Sequence, residues 1–252
     1  MTQASRLTAI LEELAETGSV SVTELGERFG VSLATVRRDL QTLEDQRLVS
    51  RVHGGAVSRN VLYELPLRYK ETRNQEAKQR IAAAIAARIE PGTTVGLTGG
   101  TTTTEVARAI CEKPDLTIVT NALNIASELA IRSNLKLIVP GGVARSQSYE
   151  LVGPMAEANL AAMNLDLVVV GVDGIDAAAG CTTHHEVEAY ANRALIGRAR
   201  RAVVAADASK LGKVAFARIC GLEEVDELVT DEGAPRAELA PLTATGVALT
   251  TG

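Results

Sequence analysis

The sequence predicts a two-domain α/β protein. A small N-terminal winged helix-turn-helix is followed by a larger domain built on a mostly parallel sheet. Three observations carry this. Residues 31–40 read V-S-L-A-T-V-R-R-D-L, an amphipathic helix that follows a second amphipathic segment across Gly30. Residues 48–56 read L-V-S-R-V-H-G-G-A, a short alternation ending in a glycine turn. Beyond residue 75, short apolar runs alternate with helical segments, the pattern of strands joined by crossover helices. With 252 residues the chain has room for both parts. Expected boundaries are 1–58 for the first domain, 59–74 for a linker and 75–252 for the second.

In chain order, Leu7, Ile10, Leu11 and Leu14 form an apolar stripe on a first helix. Residues 22–29 give a second helix, capped by Ser21 or Thr23, and Gly30 is the turn. Ser32 is a natural N-cap for the third, whose Val36, Leu40 and Leu43 recur at helical spacing and point inward. Ala34, Arg37, Arg38 and Gln41 then fall on the opposite face. An exposed, basic helix after a helix and a glycine turn is the arrangement that enters the DNA major groove. Arginine suits it because the planar guanidinium takes guanine O6 and N7 together, or a phosphate. Arg51 in the wing is placed to reach backbone phosphate. His53 either does the same or caps the wing turn.

Residues 58–74 read as a polar linker: Tyr63-Glu64-Leu65-Pro66 breaks any periodicity, and Arg68, Lys70 and Arg73 follow. Residues 75–88 form an alanine-rich helix with Ala77, Ile81, Ile85 and Ile89 inward, stopped by Pro91-Gly92. Strands are expected at 94–97, 116–120, 135–139, 167–172, 202–206, 227–230 and 247–250. Helices are expected at 103–110, 121–131, 154–163, 184–200 and 223–225. In parallel sheets ligands sit at the carboxyl ends of the strands, and here those ends are polar and rich in glycine. Gly99-Gly100-Thr101-Thr102-Thr103-Thr104 opens a helix and offers backbone N–H groups, hydroxyls and a helix N-terminus to an anion. The bland alternative is a tight strand-to-helix turn. Thr120-Asn121, Pro140-Gly141-Gly142 with Arg145, Gly171-Val172-Asp173-Gly174 and Asp207-Ala208-Ser209-Lys210 end four more strands. Five such loops on one edge outline a site for a small polar ligand.

Net charge is −5, against a general polyanion binder. Residues 32–60 nevertheless carry Arg37, Arg38, Arg47, Arg51 and Arg59 against Asp39, Glu44 and Asp45. Local rather than global positive charge suits a reader of particular DNA sequences. The start has no signal-peptide pattern and no run approaches a membrane span. Three scattered cysteines without C-x-x-C read as reduced thiols, so the expected compartment is the cytoplasm. No zinc pattern is present; the adjacent His184 and His185 point in different directions, and neither metal nor cofactor is expected.

V-S-L-A-T-V-R-R-D-L followed by L-V-S-R-V-H-G-G-A resembles the winged helix-turn-helix of the DeoR family of bacterial regulators of sugar metabolism, over about residues 4 to 58. The resemblance implies DNA contacts from Ser32, Thr35, Arg37 and Arg38; Gln41 and Arg51 join them on the face and wing described above. The rest, from about Tyr69 onward, resembles the DeoR-type sensor domain, related in fold to ribose-5-phosphate isomerase. Its carriers are G-G-T-T-T, T-N, P-G-G, G-V-D-G-I-D with G-C-T, and D-A-S-K-L-G. One departure is Thr98, where many relatives have Asp. The implied function is a repressor of a carbohydrate operon. It acts as a homo-oligomer, dimer or tetramer, on double-stranded operator DNA and is modulated by a phosphorylated sugar. Effector-binding candidates are Gly100, Thr101, Thr102, Thr103, Asn121, Gly141, Gly142, Arg145, Asp173, Gly174 and Lys210. The alternative is a phosphosugar isomerase-like enzyme with a DNA-binding appendage, since D-G-I-D resembles the isomerase D-G-A-D, with Asp173, Asp176 and Glu186 as candidate acid–base groups. The lysine-led glycine loop of the isomerases is replaced here by Ala177-Ala178-Ala179-Gly180, which favours binding without chemistry.

Overall fold

The computed structural model describes residues 1–58 and 66–252, with only the backbone of Ala15 and Glu16. The expected linker residues Arg59, Tyr63, Glu64 and Leu65 lie outside the described residues. The chain divides into two compact units, Met1–Arg73 and Asn74–Gly252.

The N-terminal unit runs α1 (Gln3–Thr17), β1 (Ser19–Ser21), α2 (Val22–Phe29), α3 (Leu33–Asp45), β2 (Val49–Val52), β3 (Gly55–Ser58) and α4 (Leu67–Lys70). The Thr2 side chain caps α1 and a left-handed Gly18 ends it. Leu7, Ile10, Leu11 and Leu14 of α1 meet Leu25 of α2 and Val36, Leu40 and Leu43 of α3 in one buried cluster. Ser21 starts α2 without a side-chain capping bond, and Gly30 ends it at φ 63°. The wing is an antiparallel sheet in the order β1-β3-β2. Its two glycines have different tasks. Gly54 makes the turn at φ 81°, whereas a Cβ on Gly55 would lie 2.0 Å from the Val20 carbonyl oxygen, so only glycine lets β3 cross β1. Part of the expected linker belongs to this unit: Leu67 and Tyr69 of α4 are buried, Tyr69 in the same apolar cluster.

The second unit continues with α5 (Gln75–Ala86), β4 (Thr94–Leu97), α6 (Thr101–Ile110), β5 (Leu116–Thr120), α7 (Leu123–Leu129), β6 (Leu135–Ile138), β7 (Val143–Arg145), β8 (Glu150–Val152), α8 (Pro154–Ala161), β9 (Leu167–Gly171), β10 (Gly174–Asp176) and β11 (Gly180–Thr183). It ends with α9 (Glu186–Ile196), β12 (Ala202–Ala205), β13 (Ala217–Cys220), β14 (Glu227–Thr230), α10 (Arg236–Thr243) and β15 (Ala248–Thr251). The main sheet is parallel throughout, in the order β15-β14-β12-β9-β4-β5-β6. Alternate residues of β9 serve opposite faces. Val169 packs with Ile81 and Ile85 of α5 and Val106 and Ile110 of α6, whereas Val168 and Val170 pack with Leu195 of α9. The chain leaves β4 towards β5 on one side and later returns through β9 on the other. The strand order therefore reverses between β4 and β9, and a crevice opens there at the carboxyl ends.

The seven expected strands are all present, most within one residue of the expected bounds. Three features were not anticipated. Strands β7 and β8 pair as an antiparallel hairpin, β10, β11 and β13 form a second, antiparallel sheet, and α10 is a helix despite Pro241 inside it. The helix expected at 223–225 is a single 3-10 turn at Leu222–Glu224.

Candidate functional site

The candidate DNA face begins at Ser32. Its hydroxyl accepts the Thr35 backbone N–H (3.2 Å) and lies 2.9 Å from the Thr35 hydroxyl, fixing the start of α3. Val36, Leu40 and Leu43 are buried beneath, while Arg37 and Arg38 stand exposed on the opposite face. Among the described residues neither arginine makes an ion pair, so both are available to an incoming polyanion. The structure brings Gln41 and Arg51 together. The Arg51 guanidinium donates to Gln41 Oε1 and lies 3.9 Å from Glu44, and Gln41 Nε2 donates to Asp45 (2.8 Å). The wing is thus tied to α3 through side chains. His53 is exposed in the wing turn.

Asp39, the acidic member of R-R-D-L, is 1% exposed and looks away from this face. Arg6 of α1 grips it with two bonds, Nε–Oδ2 at 2.7 Å and Nη2–Oδ1 at 3.2 Å, and Gln3 adds a third at 3.2 Å. The bond to Asp39 raises the Arg6 pKa above its already high ordinary value. Asp39 therefore clamps α1 behind α3. Its place at i+3 from Val36 and i−4 from Leu43 sets it on the inner stripe, but the partner that makes its burial tolerable, Arg6, lies 33 residues back in the chain.

In the second unit the crevice is built on residues 98–104. Thr98, where a carboxylate was the family expectation, is fully buried and accepts the Gly171 N–H on its hydroxyl (2.9 Å), lacing the end of β4 to the end of β9. Gly100 starts α6 at φ 131°, and the first helical bond runs from Thr104 N–H to Gly100 O. The N–H groups before Thr104 thus have no partner within the helix. The threonines divide. Thr103 and Thr104 donate their hydroxyls back to Gly100 O (2.9 and 2.7 Å) and Thr103 is fully buried. Its side chain is thereby committed to the helix turn, while Thr101 is half-exposed at the opening. Glu150, absent from the sequence expectations, is 2% exposed and accepts the Gly99 N–H (2.8 Å). Nothing in its sequence surroundings signalled this, because the β7–β8 hairpin that carries it was itself unread. Asn121 lies beside it. Its Nδ2 reaches Leu151 O (3.3 Å), while its Oδ1 is buried and has no hydrogen-bond partner.

Arg145, Asp173 and Lys210 are joined through two residues that the sequence reading missed. Arg145 pairs with the buried Glu188 of α9 (2.6 Å), and the Thr183 hydroxyl lies 3.1 Å from both Glu188 and Asp173. Asp173 is in turn 3.6 Å from Lys210 and 3.9 Å from His184. Asp207, two residues past the end of β12, is 3% exposed. Burial pushes its carboxyl pKa up, but bonds from Ser209 and Asn74 and the charge of Lys210 outweigh this and leave it below the ordinary value. Three expected residues sit apart from this network. Gly174 is buried, with space for a Cβ blocked by the Lys213 carbonyl oxygen at 2.3 Å, and Gly141 and Gly142 lie against Met155 and Ala156 of α8. These glycines serve close packing.

Asp176 of D-G-I-D is committed to a turn rather than to acid–base work. Asp176 Oδ1 accepts the N–H groups of Ala178 (2.8 Å) and Ala179 (2.9 Å), which lower its pKa and hold it in the β10–β11 turn. His185 Nδ1 caps α9, and among the described residues no group of three His, Cys, Asp or Glu side chains gathers to hold a metal. Among the same residues no helix is long and apolar enough to cross a membrane.

A helix-turn-helix head with an exposed arginine pair, carried on an α/β unit with a polar crevice, defines a DNA-binding transcriptional regulator with a sensor module rather than an enzyme. Residues 6–61 match the DeoR-like helix-turn-helix domain and residues 73–232 the DeoR C terminal sensor domain. The chain is 36% identical to a putative aga operon transcriptional repressor of Escherichia coli O157:H7, covering 94% of this chain and 90% of that one. It is 38% identical to the HTH-type transcriptional regulator GlpR of Haloferax volcanii (92% and 91% covered) and 33% to the glycerol-3-phosphate regulon repressor of Escherichia coli K12 (96% and 96%). The chain belongs to the DeoR family of transcriptional regulators. Among solved structures, ribose 5-phosphate isomerase from Plasmodium falciparum aligns over 53% of this chain and 51% of that one, at 14% identity and a TM-score of 0.39.

Proposed function

We propose that the chain represses a carbohydrate operon as a homo-oligomer, dimer or tetramer, and that a phosphorylated sugar or polyol bound at the β4–β9 crevice modulates operator affinity. The observation that carries this is the start of α6: a glycine loop and unbonded helix N–H groups beside a network of buried charged side chains. In this reading Ser32, Thr35, Arg37, Arg38, Gln41 and Arg51 contact double-stranded operator DNA. The effector phosphate meets the first turn of α6 at Gly100, Thr101 and Thr102, with Lys210 as counter-charge. Its hydroxyls meet Asn121, Arg145 and Asp173. One of the relatives supports the ligand class by name, the repressor of a glycerol-3-phosphate regulon.

The effector acts only through a difference in affinity between operator-bound and released forms. Asn74 connects it to the linker. It stands at the first residue of the sensor unit, at φ 49°, and spends its side chain on Asp207 Oδ1 (2.9 Å) instead of capping α5. Asp207 belongs to the same turn as Lys210.

A thermal-shift titration against inorganic phosphate, polyol, sugar and amino-sugar phosphates, and their unphosphorylated forms, tests the reading. One phosphorylated compound is expected to stabilise selectively, by about 2.7 kcal/mol at a hundredfold excess over its Kd. Equal stabilisation by the unphosphorylated form, or none by any compound, overturns it.

A further inference from the structure

Glu150 opens β8 and is 2% exposed, and its carboxylate lies against the glycine loop that leads into α6. Oε1 accepts the Gly99 N–H (2.8 Å), and a Cβ built on Gly99 would meet Oε1 and Cδ at 2.5 Å. This contact is one residue before Gly100, where α6 starts, and both glycines are half-exposed. The backbone seats the carboxylate there. Leu123 N–H donates to Tyr149 O (2.8 Å) and Leu151 N–H to Asn121 O (2.7 Å), which lays the start of β8 along the end of β5. Tyr149, immediately before Glu150, takes φ 61°, a left-handed conformation disfavoured for tyrosine. A carboxylate only accepts hydrogen bonds, so it receives a hydroxyl or an ammonium and repels a second anion. A further acceptor stands at the neighbouring strand end. Asn121 is fully buried, its Nδ2 is given to Leu151 O (3.3 Å), and its Oδ1 has no donor. The bond to a carbonyl oxygen fixes which end of the amide is which. Buried acceptors are normally satisfied, so this edge of the crevice suits a donor and not a second negative charge.

We propose that Glu150 is a specificity-determining residue of the sensor. It selects phosphate monoesters that carry a hydroxyl or an ammonium close to the phosphate, and it excludes those that carry a second anionic group there. The inference rests on the sensor reading above and narrows its ligand class. The phosphate takes N–H groups of the first turn of α6, while the Gly99 N–H, already given to Glu150, is left out of the cradle. The group next to the phosphate then meets Glu150, with Asn121 Oδ1 as a second acceptor. Sugar and polyol phosphates carry such hydroxyls, whereas short phosphorylated acids bring a charge to where the carboxylate stands.

Calorimetric titration of the full chain with ethyl, 2-hydroxyethyl, 2-aminoethyl and carboxymethyl phosphate separates the possibilities, because these esters share the phosphate and differ in the group beside it. The wild type is expected to bind the hydroxyl and amino esters about ten- to a hundredfold more tightly than ethyl phosphate, the share of one hydrogen bond to a charged acceptor. It is expected to bind carboxymethyl phosphate more weakly than ethyl phosphate. Glu150→Gln, which keeps an acceptor for the Gly99 N–H without the charge, is expected to keep the wild-type circular dichroism and to bring the amino and carboxymethyl esters towards the affinity of ethyl phosphate. Carboxymethyl phosphate bound by the wild type as tightly as the hydroxyl ester, or the wild-type spread of affinities in a folded Glu150→Gln, overturns the role of Glu150 and leaves the sensor reading standing. No binding of any ester to the wild type overturns both. Should Glu150→Gln fail to fold, Glu150→Asp serves, since it draws the carboxylate back by one methylene; a narrowed spread supports the proposal and the wild-type spread overturns it.

Discussion

Arg38 and Asp39 are neighbours in the sequence with opposite tasks. The side chain of Arg38 faces solvent on the reading surface of α3; that of Asp39 is buried against Arg6. Arg38→Ala is expected to leave unfolding unchanged and to weaken operator binding by about 1–3 kcal/mol. Asp39→Ala leaves Arg6 without its partner and is expected to destabilise the N-terminal unit by about 3 kcal/mol, at the low end for a buried pair because Arg6 keeps one edge in water. Urea unfolding and operator titration of both variants check this, and a stable Asp39→Ala would remove the clamp from the account. At this scale the sequence was readable where one residue type suits one environment. Ser32 capped its helix and Val36, Leu40 and Leu43 went inward as their spacing implied. It was unreadable where burial depends on a partner far along the chain, as for Asp39 with Arg6, Glu150 with Gly99, Glu188 with Arg145, and Lys78. A charged side chain carries no periodic signal of its own, and pattern reading assigns it to solvent by default.

Among the elements, the parallel strands were legible because a strand buried on both faces needs a continuous apolar run, as in L-V-V-V-G of β9. The β7–β8 hairpin and the β10, β11 and β13 sheet were not. Their strands are three or four residues long and mix glycine, threonine and charge. Their hydrogen bonds go to partners chosen by the tertiary fold. Helix α5 was located and Ile81, Ile85 and Ile89 are buried as expected, but at its first turn Ala77 is half-buried and Lys78 is buried instead. The Asn74–Asp207 bond at its start is the coupling device we propose. Asn74→Gly tests it cleanly, because glycine tolerates the left-handed backbone and removes only the side chain. Effector affinity and operator affinity are expected to stay near wild type, while the effector's influence on operator binding falls by about 0.5–2 kcal/mol. A full response in Asn74→Gly would place the coupling elsewhere.

The whole chain is acidic, with a net charge of −5, yet its reading head presents an arginine pair on one exposed face. That distribution keeps non-specific attraction to DNA low and leaves affinity to the matched site. The two units answer different molecules, and regulation requires that occupancy of one alter the other. The measurement to make is fluorescence anisotropy of a labelled duplex that the protein selects from a random pool, followed as phosphorylated sugars and polyols are added. We expect one phosphorylated compound to release the duplex, its unphosphorylated form to do nothing, and Lys210→Met to bind the duplex normally but fail to respond. Duplex binding that no phosphorylated compound alters, or a Lys210→Met variant that responds as the wild type does, would contradict the proposal that the β4–β9 crevice is the sensor.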